Sequence, residues 1–174
     1  MKQRSTDNRR GPARSLDRRG SRSDMSPPVA QKGPAPEDPS VCDICGSVYR
    51  AKTWRRNRSL PAEVINAAAW TLCPACKQQK NGRYFGRVLI RGESANSNMN
   101  AILARIGNVE RRAEFTQPER RIISRKWDGE TLEVLTTSQK LAHRVARELQ
   151  KAFGGRAHYA WSDQDGSLTA TWQN

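Results

Sequence analysis

Cys42-Asp43-Ile44-Cys45-Gly46 and Cys73-Pro74-Ala75-Cys76 are two CxxC pairs with 27 residues between them, and they hold all four cysteines of the chain. Two intervening residues let both thiolates of a pair reach one ion from a tight turn. The amides of that turn can donate to the sulfurs, and a glycine after the second cysteine permits the positive φ such a knuckle needs. Four thiolates complete a tetrahedral site and leave no open coordination position for chemistry. The spacing therefore predicts one structural zinc ion on Cys42, Cys45, Cys73 and Cys76. A thioredoxin-like redox motif uses a single CxxC in a βαβ context, and structural disulfides fit an exported chain. A zinc-releasing redox switch has no marker in the sequence. An iron centre of rubredoxin type uses similar pairs.

Between the pairs, Tyr49-Arg50-Ala51-Lys52-Thr53-Trp54-Arg55-Arg56-Asn57-Arg58 sets five cations beside two aromatics. Arg and Lys neutralise phosphates, and Tyr and Trp stack on unpaired bases. For Tyr49 and Trp54, a surface role in recognition and a place in a small core around the metal are both open. Pro61 opens a short helix from Ala62 to Trp70 with Val64, Ile65, Ala68 and Trp70 as its apolar members. After the second pair, Lys77, Lys80, Arg83, Tyr84, Phe85, Arg87 and Arg91 continue the mixture. Trp70 and Phe85 are expected in the core beside the metal. Residues 41–92 thus read as a four-cysteine zinc-ribbon or treble-clef-like module with ten basic and two acidic residues.

Residues 93–174 read as a separate α+β module. Ser97 or Asn98 can cap a helix carrying Met99, Ile102, Leu103, Ile106 and Val109. Strands from Arg120 to Lys126 and from Thr131 to Thr136 are joined by Asp128-Gly129, a hairpin signal. A second helix, Gln139 to Phe153, is capped by Ser138 and stopped by Gly154-Gly155. Strands from Ala157 to Ser162 and from Ser167 to Trp172 follow, joined around Asp165-Gly166. Hairpin, helix, hairpin predicts a small four-stranded antiparallel sheet with the helices on one face. Tyr159 and Trp161 alternate in step with Leu132, Val134, Leu168, Ala170 and Trp172, so they are expected to face those helices. The second helix sets Lys140, Arg144, Arg147 and Lys151 opposite its apolar sector. A charged outer face is what any solvated surface helix shows, and that reading comes first; the all-cationic sign adds phosphate contact as the alternative, because an ordinary exposed face mixes both signs.

The 174 residues carry 31 Lys+Arg against 17 Asp+Glu, a formal net charge of +14. That excess favours an anionic partner, nucleic acid before acidic lipid. Residues 1–40 contain no aromatic residue and six of the nine prolines, with Arg9-Arg10 and Arg18-Arg19 on a Ser/Gly background. They are expected to form a disordered basic arm. No apolar run approaches the ~20 residues of a membrane span, and no secretory core marks the N-terminus, so a cytoplasmic location is expected. His143 and His158 have no nucleophile or carboxylate partner at a motif spacing. With no phosphate loop, nucleophile elbow or HExxH either, the expectation is that the protein is not an enzyme.

The two CxxC pairs, the basic stretch between them and Ala113-Glu114-Phe115-Thr116-Gln117-Pro118-Glu119-Arg120-Arg121-Ile122 together carry a resemblance. The chain resembles small bacterial zinc-ribbon proteins similar to the N-terminal zinc region of archaeal and eukaryotic large-ribosomal-subunit export adaptors. The resemblance spans roughly residues 41–125, and the second stretch is similar to an aromatic–Thr–x–Pro–x–Arg–Ile signature of the adaptors. Those adaptors carry further cysteine pairs for a second zinc, which this chain lacks. The resemblance implies binding to ribosomal RNA or a ribosomal subunit.

The sequence therefore predicts a non-enzymatic, zinc-stabilised RNA-binding protein, ribosome-associated or engaged in ribosome assembly. Its contacts would come from Arg50, Lys52, Trp54, Arg55, Arg56 and Arg58, continued by Lys77, Lys80 and Arg83 and by Lys140, Arg144, Arg147 and Lys151. The alternatives are a zinc-stapled adaptor between proteins and a DNA-binding regulator.

Overall fold

The computed structural model describes residues 34–56, 60–92 and 97–174. The arginine pairs expected in the basic arm, and Arg58, lie outside the described residues. Three-residue strands build the first sheet: β1 (Ser40–Cys42), β2 (Val48–Arg50), β3 (Thr53–Arg55) and β4 (Ala69–Thr71), in the order β3-β2-β1-β4. β1 pairs antiparallel with β2 and parallel with β4. Strands so short hold their pairing only when something else fixes their ends.

Two short helices complete this unit, α1 (Ala62–Asn66) and α2 (Pro74–Lys80). The helix expected to run to Trp70 ends at Asn66. Ala69 donates its N–H to Pro39 O at 3.0 Å, and Val41 pairs with Trp70 in the β1–β4 ladder. That ladder takes the backbone groups a further helical turn would use, and it leaves Trp70 61% exposed instead of in the core. Ser40, at the end of the segment read as the arm, is buried in β1.

The second sheet comprises β5 (Gly86–Arg91), β6 (Ile122–Asp128), β7 (Thr131–Thr136), β8 (Arg156–Trp161) and β9 (Leu168–Gln173). Its order is β6-β7-β5-β9-β8, with α3 (Met99–Thr116) between β5 and β6 and α4 (Gln139–Phe153) between β7 and β8. Both expected hairpins are present, but the sheet has five strands and is mixed. β5 pairs antiparallel with β7 and parallel with β9. Residues 86–91, read as the end of the zinc module, therefore supply the central strand of the second unit. The physical reason is edge pairing: β7 and β9 each end a hairpin with unpaired backbone groups, and β5 satisfies both at once.

One face of this sheet carries Val88, Ile90, Leu132, Val134, Leu168, Ala170 and Trp172, all at or below 1% exposure. Leu141, Val145 and Leu149 of α4 and Ile102, Ile106 and Val109 of α3 join them in one core, so both helices lie on that face as expected. Ser138 caps α4 by accepting from Leu141 N–H at 3.3 Å. The helix axis comes so close to β5 that only glycine fits at position 86. A Cβ there would meet Ala142 Cβ at 2.6 Å and Ser138 O at 2.8 Å, with Thr136 Oγ1 closer still. Gly86→Ala should lower the free energy of unfolding by about 1–3 kcal/mol. Urea denaturation checks this, and a change below about 0.5 kcal/mol would mean that α4 can retreat freely from β5.

Candidate metal centre and basic surface

The first CxxC pair sits in the knuckle between β1 and β2. Cys42 N–H donates to Ser47 O at 2.8 Å and Gly46 N–H to Cys42 O at 2.9 Å, with Gly46 at φ +65°. That is the positive φ the glycine was expected to supply. The second pair opens α2. Cys73 is its N-cap, Pro74 occupies the first turn, and Cys73 Sγ accepts from Cys76 N–H at 3.5 Å. A hairpin knuckle facing a helix start gives the treble-clef-like arrangement.

All four Sγ atoms lie within 4.8 Å of one another, and Cys45 Sγ and Cys73 Sγ are 3.7 Å apart. Zn–S bonds of about 2.3 Å place tetrahedral sulfurs roughly 3.8 Å apart, so the donor set fits a four-coordinate soft cation. Cys42, Cys73 and Cys76 are at most 1% exposed, and none of the four forms a disulfide. The four cysteines can hold a metal ion, and they would close its coordination sphere.

The second unit seals this cluster. Arg121, 6% exposed and immediately before β6, directs its guanidinium at the sulfurs: Nη2 donates to Cys45 Sγ at 3.1 Å and Nη1 to Cys76 Sγ at 3.4 Å. Its Nε donates to Pro118 O at 2.7 Å, and Glu114 Oε1 lies 3.5 Å from that nitrogen. Thr137 Oγ1 accepts from Arg121 N–H at 2.8 Å. Gln79 Nε2 of α2 donates to Ile122 O at 3.1 Å, and Arg56 Nη2 reaches Glu114 Oε1 at 2.8 Å. These contacts make the metal centre the joint between the two units.

Electrostatics follow the geometry. Burial opposes ionisation of Cys45, but hydrogen bonds from Ser47 and Arg121 outweigh it and bring the thiol down to about 6. Its thiolate therefore adds stability above the ordinary thiol range, and that contribution is lost as pH falls through about 6. Burial pushes the Cys73 thiol well up and Cys76 up to about 11. A cation must displace protons from Cys73 and Cys76 to bind, so metal affinity falls with pH. Burial alone would lower the Arg121 pKa, yet the neighbouring thiolates raise it, which keeps the guanidinium charged.

Of the residues expected to contact nucleic acid, Arg50, Lys52, Arg55, Arg56, Lys77, Lys80, Arg83, Lys140, Arg144, Arg147 and Lys151 are exposed. Arg56 is committed to Glu114. Trp54 is not available as a surface platform. It is 6% exposed, its ring lies 5.4 Å from that of Tyr49 across the β2–β3 pair, and both pack against the cysteines. A cross-strand aromatic pair is how a four-strand unit this small excludes water from its cysteine cluster. Phe85 is half-buried with Arg83 Cζ 5.9 Å above its ring, whereas Tyr84 is 39% exposed.

Nothing local in the sequence marks Arg121 as a buried cation, because its partners lie 45 and 76 positions away. It does fall within the Phe115–Ile122 stretch. No helix among the described residues is long and apolar enough to cross a membrane. Comparison with family models, curated proteins and solved structures gives no match for this chain.

Proposed function

We propose that this chain is a non-enzymatic RNA-binding protein held together by one structural zinc ion and associated with the ribosome or its assembly. Exposed cations in two groups carry the reading, Arg50, Lys52, Arg55, Lys77, Lys80 and Arg83 on the first unit and Lys140, Arg144 and Arg147 on the second. With a net charge of +14 over the chain, such a surface suits a polyphosphate backbone. Zinc is the natural occupant of four thiolates with no open position, and in that role it fixes structure and supplies no chemistry. Arg121, which links the two units through the sulfurs, belongs to the same stretch that resembles the ribosomal export adaptors. Ribosomal RNA or a ribosomal subunit is accordingly the partner proposed.

Binding of a labelled ribosomal RNA fragment, titrated at several salt concentrations, tests the reading. The logarithm of the binding constant should fall linearly with the logarithm of salt. In Arg50→Ala/Lys52→Ala/Arg55→Ala the slope should shrink by about 0.7–0.9 for each phosphate contact removed. An affinity that ignores salt and these three residues would count against RNA. Phe115 is 84% exposed and Ile44 62%, which favours a second reading as a zinc-stapled adaptor between proteins. That reading predicts a partner whose affinity responds to Phe115→Ser and not to salt.

A further inference from the structure

With Tyr49 and Trp54 buried, the aromatic surface must be sought elsewhere. Trp161 is 59% exposed and Tyr159 36%. They stand two positions apart on β8, the edge strand, opposite Leu168 and Ala170 of β9. They therefore share the helix-bearing face, as expected, but remain open to solvent beside α4. The His143 ring of α4 stacks on Tyr159, with centroids 4.7 Å apart and planes 29° from parallel. Arg147 follows one turn later, close enough for its charge to act on the Tyr159 hydroxyl, whose pKa burial raises. Lys140, Arg144 and Arg147 are exposed, and among the described residues none of them has an ion-pair partner. Lys151 lies 3.7 Å from Glu148.

The other exposed indoles have different sequence neighbours. Trp127, 51% exposed, lies between the Arg125–Glu110 ion pair and the acidic Asp128 and Glu130. Trp70 is flanked by Ala69 and Thr71. At β8 the open indole shares a strand face with Tyr159, which stacks on His143 and lies within reach of Arg147, an exposed cation of α4 without an ion-pair partner among the described residues. Rings of this kind hold bases that are free to stack, and cations beside them hold the connecting phosphates. Duplex bases stack on one another and offer no faces.

We infer that β8 and the adjoining face of α4 bind unpaired nucleotides of RNA, with bases stacked on Trp161 and Tyr159 and phosphates on Arg147, Lys140 and Arg144. This rests on the RNA-binding reading above and narrows it from phosphate contact to single-stranded segments.

The test is fluorescence anisotropy of the full chain with a labelled oligouridylate and a labelled RNA duplex. Tyr159→Ala/Trp161→Ala should weaken single-strand binding by about tenfold or more, with duplex binding changed by less than about twofold and the salt slope unaltered. Trp161→Phe, which keeps a ring, should retain most of the affinity. If the double variant does not fold, Trp161→Ala against Trp161→Phe carries the comparison. A folded, metal-loaded double variant that binds oligouridylate like the parent overturns this inference and leaves RNA binding itself standing. Equal loss on single strand and duplex overturns it as well. A parent protein that binds neither RNA at low salt removes both the inference and the reading beneath it.

Discussion

Cys73→Ser should abolish metal binding and unfold the first sheet, while the second sheet stays folded. The first unit has strands of three residues and two small apolar clusters, one around Tyr49 and Trp54 and one around Val41, Val48 and Ala68. That much burial does not offset the ordering of some forty residues, and under the proposed function the deficit falls to the zinc ion. Structural zinc sites contribute about 10–16 kcal/mol of apparent binding free energy near neutral pH, and in such small units that is folding free energy. The second unit has its own core, in which Trp172, Leu141, Val145 and Leu149 are fully buried, so it does not depend on the ion. Limited proteolysis with metal analysis checks this. Cleavage sites should open between β1 and α2 in Cys73→Ser and in chelator-treated parent, leaving a resistant C-terminal fragment. Unchanged protection of residues 40–80 in the metal-free protein would contradict it.

Arg121→Met should loosen the metal and destabilise the whole chain by about 2–4 kcal/mol. The substitution keeps most of the side-chain volume and removes donors to Cys45, Cys76 and Pro118 in one step. The tetrathiolate then keeps its negative charge without the cation that faces it, and Glu114 loses a partner. Outer ligands of this kind commonly alter metal affinity by about 10–100-fold, so transfer of the ion to a competing chelator should rise within that range. Arg121→Lys should recover little, because one ammonium cannot serve two sulfurs and a carbonyl with the guanidinium's planar fork. Thermal unfolding of the metal-loaded variants and the chelator competition together decide the matter. Metal retention equal to the parent would reduce Arg121 to an ordinary buried residue.

The local signals in this sequence are short-range ones. CxxC spacing and Gly46 describe a knuckle that closes within five residues, and the structure forms it with Gly46 at φ +65°. Ser138 and Gly154 bound α4 at the residues expected. Asp128-Gly129 ends β6 and opens its turn into β7, and Asp165-Gly166 sits in the connection between β8 and β9. What escaped depends on partners distant in sequence. Arg87-Val88-Leu89-Ile90-Arg91 is a short apolar run between two arginines with no polar alternation to mark a strand face, and its central place is set by β7 and β9 some fifty and eighty residues away. Tyr49 and Trp54 look like a recognition pair among cations. They turn inward because β2 and β3 place them opposite each other over the cysteines. Tyr159 and Trp161 have the alternation of core residues, yet β8 is an edge strand that α4 does not fully cover. In each case tertiary pairing, not local pattern, decides whether a ring is a core residue or a surface.

The most direct test of the account is to recover the tagged protein from its native cells at moderate salt, sequencing the nucleic acid and reading the metal on the same sample. The account predicts ribosomal RNA, enriched over total RNA, with one zinc ion per chain. Zinc-loaded protein that carries a discrete protein partner and no RNA would contradict it.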